Sequence, residues 1–149
     1  AWYLLVMHDP RNLEAMLAQE KWPDAREAVL VRLLASAFPL RVPEVNAATP
    51  GERELLLRLR LRSGKPDATL KSALASSDVL EVSLALDAAD SLPSLDCEWL
   101  IPALSHPSIH VAQTAAAVLR KHCSDRAPSI LSGLSEGRRS QLRESPGAE

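Results

Sequence analysis

Residues 99–122 read WLIPALSHPSIHVAQTAAAVLRKH, and this stretch decides the fold. Its first part is apolar, a break follows at His106 and Pro107, and its second part is rich in Ala and Val, so it predicts two helices joined by a short turn. The same layout occurs thirty positions earlier in residues 69–92, TLKSALASSDVLEVSLALDAADSL, with its break at Asp78. The sequence therefore predicts a repeated helix–turn–helix unit.

Two further stretches extend the repeat towards the N-terminus. Residues 13–37, LEAMLAQEKWPDAREAVLVRLLASA, break at Pro23 and Asp24, and residues 42–64, VPEVNAATPGERELLLRLRLRSG, break around Pro50. The second helices are thus predicted to begin near residues 24, 51, 78 and 108, at steps of 27, 27 and 30 residues. This period is typical of stacked hairpins that cannot bury their apolar sides alone, so we predict an all-α solenoid of antiparallel helical hairpins over residues 1–123.

The remaining residues, 124–149, leave two alternatives open. The period predicts a fifth break near residue 135, which would make this segment a degenerate capping repeat with a polar outer face. Its Ser, Gly, Arg and Pro content is equally typical of a polar tail. A second alternative concerns residues 55–62, LLLRLRLR, which alternate as a half-buried strand would. We predict a helix there, because Leu and Arg are good helix formers and Glu54 and Arg58 have i,i+4 spacing.

Helical periodicity also predicts the buried faces and the helix caps. The inward positions are Val82, Ala85, Leu86 and Ala89 in the third repeat, and Ala112, Ala115, Ala116 and Leu119 in the fourth. The Ser, Asp and Thr residues at the breaks are expected to cap the second helices, and Pro102 is expected near the start of a first helix or at a kink.

Composition excludes several classes of protein. The 149 residues suit about one domain, and 46% hydrophobic with 24% charged residues exclude a disordered or collagen-like chain. A net charge of −2 gives no bulk attraction to nucleic acid or to an anionic membrane. The longest nearly apolar stretch, Trp2–Met7, is too short to span a bilayer. Two cysteines are too few for a disulfide framework, so we expect a reducing, cytoplasmic compartment.

No motif in the chain predicts catalysis or a bound cofactor. Residues 133–137 spell G-x-S-x-G, but no Asp or His follows Ser135, as a nucleophile elbow requires. His106 and His110 have i,i+4 spacing, with His122 or Cys123 as a third ligand, yet Pro107 between them favours a turn over a metal site. The chain has no Gly-rich phosphate loop. We therefore expect neither an enzyme nor a metal or cofactor.

The stretch WLIPALSHPSIHVAQTAAAVL (99–119) resembles a HEAT repeat, with an apolar first helix, a Pro-containing turn and an Ala-rich second helix. The resemblance implies an elongated, right-handed stack whose second helices line a concave surface that holds other macromolecules. Ser83 and Ala112 stand where these repeats commonly carry Arg, whereas Arg26 occupies a position that could serve that role. A HEAT-like enzyme would need a pocket of convergent polar groups that the sequence does not indicate.

The side of the second helices opposite the core supplies the candidate binding residues. Its charge is basic in the first two repeats and acidic in the third, which suits a charged protein segment better than a uniform phosphate backbone. We predict a non-catalytic scaffold or adaptor that binds a protein partner through Arg26, Arg53, Arg60, Ser83, Asp87, Asp90 and Gln113.

Two other interactions are alternatives to this prediction. The first is nucleic-acid binding through Arg53, Arg58, Arg60, Arg62 and Lys65, together with Arg138, Arg139 and Arg143. The second is a homo-oligomer formed through the apolar segment Ala1–His8. Because the chain begins at Ala1 without a methionine, we also expect it to be a fragment or a processed product.

Overall fold

The computed structural model describes residues 23–35, 46–47, 49–62 and 66–143, and all the regular secondary structure in these ranges is helical. The all-α prediction is confirmed for this part of the chain. Its α-helices are α1 (Pro23–Ala35), α2 (Pro50–Arg62), α3 (Pro66–Leu74), α4 (Val79–Asp90), α5 (Ile101–Leu104), α6 (Ile109–His122), α7 (Ala127–Ser132) and α8 (Glu136–Arg143), and a 3-10 turn at Cys97–Leu100 precedes α5.

Four of these helices begin beside the predicted breaks at residues 24, 51, 78 and 108: α1, α2, α4 and α6. The Leu-Arg stretch lies in α2, so the strand alternative is wrong. Glu54 and Arg58 form the expected i,i+4 ion pair at 2.7 Å. Pro102 lies in the first turn of α5, where its missing N–H costs no helical hydrogen bond. The stretch 124–149 contains α7 and α8, and the predicted boundary at residue 123 stays a prediction.

The chain divides into two compact units, Ala1–Thr69 and Leu70–Glu149. In the first unit, α1 packs against α2 through a core of aliphatic side chains. Leu56 and Leu59 supply the α2 side of this core, while Arg58 and Arg62 point to the exposed side. The α1 side consists of Val29, Leu30 and Leu33.

In the second unit, α4 packs against α6, and α6 also packs against α5 and α8. All eight positions that periodicity predicts to face inward in the third and fourth repeats are buried, and Val111 is buried with them. The helical period alone therefore locates this core correctly, because small and medium apolar residues recur every three or four positions on one face.

The predicted caps form at two of the breaks. The Asp78 carboxylate accepts the Leu80 backbone N–H at 2.9 Å, and Thr49 Oγ1 accepts the Glu52 N–H at 3.1 Å. The prediction is wrong for Ser108, whose side chain makes no capping hydrogen bond. At that break His106 Nδ1 accepts the Ser108 backbone N–H instead, at 3.0 Å.

Cys97 and Cys123 form a disulfide, with their Cα atoms 6.1 Å apart and both residues buried. The turn between α5 and α6 reverses the chain and returns Cys123 to the start of the 3-10 turn, so the two cysteines pair, which their number alone did not predict. Disulfides persist mainly in oxidising compartments, so the expected cytoplasmic location stays a prediction that the disulfide does not favour. Within the described ranges, no helix combines the length and the apolar character needed to cross a membrane.

Candidate functional site

The N-terminal ends of α4 and α6 are joined by the buried side chain of His106, which is 5% exposed. His106 Nδ1 accepts the Ser108 N–H, so the ring proton belongs on Nε2, which donates to the Ser77 carbonyl oxygen at 3.2 Å. Ser77 directly precedes the cap of α4, and His106 lies in the turn before α6. One side chain thus ties the two turns together.

The C-terminal ends of the same helices are joined by Asp90. Lys121 Nζ lies 2.8 Å from Asp90 Oδ1, and His122 Nε2 donates to the Asp90 carbonyl oxygen at 3.1 Å. The hydrogen bond from Lys121 is the main reason that the pKa of the Asp90 carboxyl lies below its ordinary value. Because like ends are joined, α4 and α6 run parallel, about one repeat step apart in the sequence.

The outward sides of α4 and α6 form a surface that we call the α4–α6 face. Its members follow each other at spacings of three and four residues, so on each helix they share one side. Asp87 supplies a carboxylate, and Gln113 and Ser83 supply neutral polar groups that are partly exposed. The face consists of Leu80, Ser83 and Asp87 on α4, and His110, Gln113 and Ala117 on α6.

The N-terminal end of the α4–α6 face is bordered by aliphatic side chains. Val79, Leu80 and Ile109 are all large and exposed, although most such residues in this unit are buried. Val79 and Ile109 are the first residues of their helices, and the His106 link holds those helix ends beside each other. The surface therefore has an aliphatic end and, about two turns further along α4, an acidic position at Asp87.

The predicted binding residues are distributed over both units. Ser83, Asp87 and Gln113 lie on the α4–α6 face of the second unit, and Asp90 lies at its C-terminal end, within the ion pair with Lys121. Arg53 and Arg60 belong to the first unit, where both are exposed.

Arg26 requires a correction, because it is 9% exposed and does not lie on an accessible surface. Its Nε lies 2.9 Å from Oε1 of Glu52, which is fully buried, and its Nη2 donates to the Asn46 carbonyl oxygen at 3.1 Å. A charged residue in the α1–α2 interface needs such a partner. Arg26 therefore stabilises the packing of α1 against α2, and sequence reasoning missed Glu52, whose burial no apolar pattern indicates.

Three of the eight basic residues of the nucleic-acid alternative are engaged within the protein. Arg58 pairs with Glu54, Arg62 donates to the Leu34 carbonyl oxygen, and Arg138 donates to the His106 carbonyl oxygen at 2.9 Å. Lys65 and the segment Ala1–His8 lie outside the described residues.

Residues of the motifs considered for catalysis and metal binding make structural contacts in this protein. Both ring nitrogens of His106 bind backbone groups, and Cys123 is in the disulfide. Among the described residues there is no group of three or more His, Cys, Asp or Glu side chains that could hold a metal ion. Ser135 follows helix α7 rather than a strand, and its Oγ accepts the Arg138 backbone N–H at 3.4 Å.

No family model, curated protein or solved structure matches this chain.

Proposed function

We propose that this protein is a non-catalytic scaffold or adaptor, built as a HEAT-like α-solenoid of stacked antiparallel hairpins, that binds a protein partner through the α4–α6 face. The observation that carries the proposal is the parallel pairing of α4 and α6, which are linked at one end through His106 and at the other through Asp90. Parallel second helices one repeat step apart are the arrangement that a HEAT-like stack requires.

The links at both ends support a binding role because they hold the surface in one shape before a partner arrives. A preorganised surface loses less conformational entropy on association than a mobile one. The face is also made of helix residues rather than loop residues, so its side chains keep fixed spacings along each helix.

The chemistry of the face favours a protein segment with both apolar and basic side chains. Val79, Leu80 and Ile109 offer aliphatic contacts at one end, and Asp87 offers a carboxylate to a Lys or Arg of the partner. A nucleic-acid backbone would meet repulsion from Asp87, and aliphatic side chains contribute little to phosphate binding.

The test is capture of partners from a native lysate by the immobilised full chain, at about 0.1 M and 0.5 M salt. The test variant is Asp87→Arg, and the matched control is Asp125→Arg, which makes the same charge change at an exposed position in the turn after α6. The proposal requires a discrete protein that the wild-type chain and Asp125→Arg retain at both salt concentrations and that Asp87→Arg loses.

A second variant, Arg53→Glu with Arg60→Glu, tests the nucleic-acid alternative. Recovery of nucleic acid only at the lower salt concentration, with its loss in this variant, would contradict the scaffold proposal. Equal capture by Asp87→Arg and Asp125→Arg would remove the α4–α6 face from the proposal.

A further inference from the structure

A cavity of about 330 Å³ lies among α6, α7 and α8 at the C-terminal end of the second unit. Its polar lining comes from Arg120 on α6, Ser132 on α7, and Arg139 and Arg143 on α8. Its apolar lining is Pro128, Leu131 and Leu142. The cavity is separate from the α4–α6 face, and two of its three helices, α7 and α8, take no part in the proposed function.

Arg139 contributes a buried hydrogen-bond donor to this cavity. Its Nε atom is buried and has no hydrogen-bond partner among the described residues. A buried donor without a partner is unfavourable, and such groups in native proteins commonly mark a missing ion, ligand or water. Two other cations of the second unit have a carboxylate partner, Asp90 for Lys121 and Glu98 for Arg126.

The cavity also concentrates positive charge. Three guanidinium groups line it, and among the described residues no carboxylate does. Arg120 is held in place because its Nη2 donates to the Leu142 carbonyl oxygen at 3.3 Å. The other N–H groups of this guanidinium can donate to a further acceptor. Like charges gathered in one recess repel each other unless an anion lies between them.

We propose that this cavity binds a phosphate monoester, with the dianionic phosphate held by Arg120, Arg139 and Arg143 and the esterified organic group packed on Leu131 and Leu142. Guanidinium groups match phosphate oxygens with paired hydrogen bonds. The three positive charges of the cavity are also balanced better by a phosphate monoester, whose charge is about −2, than by a single carboxylate. A volume of about 330 Å³ is at the lower end of the range for organic ligands, and it exceeds what inorganic phosphate alone would fill.

The first experiment is calorimetric titration of the full chain with phenyl phosphate, and with benzyl alcohol as the uncharged probe of similar size. We expect saturable binding of phenyl phosphate and none of benzyl alcohol. Arg143→Gln removes one guanidinium from an exposed position at the end of α8, and Arg139→Gln removes the one with the unpartnered Nε. Each should weaken phenyl phosphate binding by about tenfold or more, because a charge-assisted hydrogen bond is lost.

The matched control is Arg126→Gln, which removes the same charge from the same unit outside the cavity lining. Its affinity for phenyl phosphate should equal that of the wild-type chain. If Arg139→Gln fails to fold by circular dichroism, the comparison of Arg143→Gln with Arg126→Gln decides the result. Equal losses in those two variants, or no binding of phenyl phosphate, would overturn the proposal.

A second titration distinguishes the two sources of a phosphate monoester. A phosphoserine peptide that binds more tightly than phenyl phosphate, and more weakly to Arg143→Gln, would identify a phosphorylated protein side chain as the ligand. Tighter binding of phenyl phosphate would assign the cavity to a small organic phosphate. Both results support the cavity as a phosphate monoester site.

Discussion

Each unit joins two of its helices through an ion pair between residues that are distant in the chain. The pair is buried in the first unit and largely exposed in the second. In the first unit, Arg26 of α1 contacts Glu52 of α2, 26 residues away, in a buried ion pair. In the second, Lys121 of α6 contacts Asp90 of α4, 31 residues away, in an ion pair that is largely exposed. The interior between α4 and α6 is correspondingly apolar, with Ala, Val and Leu on both sides.

The difference shows what each unit loses when a single group is removed. A buried charge that loses its partner has neither water nor a counter-ion, so removal of one member of the Arg26–Glu52 pair is strongly unfavourable. An exposed charge that loses its partner is solvated by water, so the Lys121–Asp90 pair contributes little. The second unit instead depends on apolar packing, on its disulfide and on the His106 link.

The largest expected effect is in the first unit. Arg26→Met removes the guanidinium that pairs with the fully buried Glu52 carboxylate, and we expect a loss of about 3–5 kcal/mol in the free energy of unfolding, measured by urea denaturation. Arg53→Met is the matched control, because Arg53 is exposed on α2.

The double variant Arg26→Met with Glu52→Leu sharpens this comparison. Replacement of both charges by apolar groups removes the buried carboxylate as well, so the double variant should recover much of the stability that the single variant loses. A single variant as stable as the wild-type chain would show that the burial of this pair does not matter for the first unit.

The second-largest effect concerns the disulfide of the second unit. Cys97 and Cys123 are 26 residues apart, and loss of a cross-link over a loop of this length is expected to lower the free energy of unfolding by about 3.5 kcal/mol. The measurement is denaturation of the wild-type chain with and without a reductant. The Cys97→Ala/Cys123→Ala variant is the control, since the reductant should leave its stability unchanged.

The third prediction concerns the link at the N-terminal ends of α4 and α6. His106→Ala leaves the Ser77 carbonyl and the Ser108 N–H without their side-chain partner, so we expect a loss of about 1–3 kcal/mol. His110→Ala, at an exposed position on α6, should change stability by less than about 0.5 kcal/mol. Faster hydrogen exchange at the Ser108 amide in His106→Ala alone would identify the link directly, whereas equal exchange in both variants would contradict it.

Sequence reasoning predicts the helices and the second-unit core because both depend on local, periodic signals. The starts of α4 and α6 follow from the turn residues before them, and the burial of residues such as Ala85 and Ala115 follows from the 3.6-residue period. The same period predicts the exposed position of Asp87 on the α4–α6 face. These features need only the identities of residues a few positions apart.

The features that sequence reasoning missed depend on pairs of residues distant in the chain. Glu52 and Arg26 are both charged, and periodicity assigns charged residues to the surface unless their partner is known. The Cys97–Cys123 separation of 26 lies close to the repeat step, and this coincidence was the available signal for the disulfide. The arginine-lined cavity combines residues of three helices, so no single helix pattern indicates it.

The smallest effect tests the exposed pair at the other end of α4 and α6. Lys121→Gln removes the main cause of the lowered Asp90 pKa, so this pKa should rise towards its ordinary value, as measured by NMR titration of the carboxyl carbon. Because the pKa is lower in the folded protein than in the unfolded chain, the pair stabilises the fold at neutral pH. That contribution is lost as the pH falls through the folded pKa, below about pH 4. A change in unfolding free energy at pH 7 as large as that of His106→Ala would contradict the view that water replaces Lys121 at this exposed site.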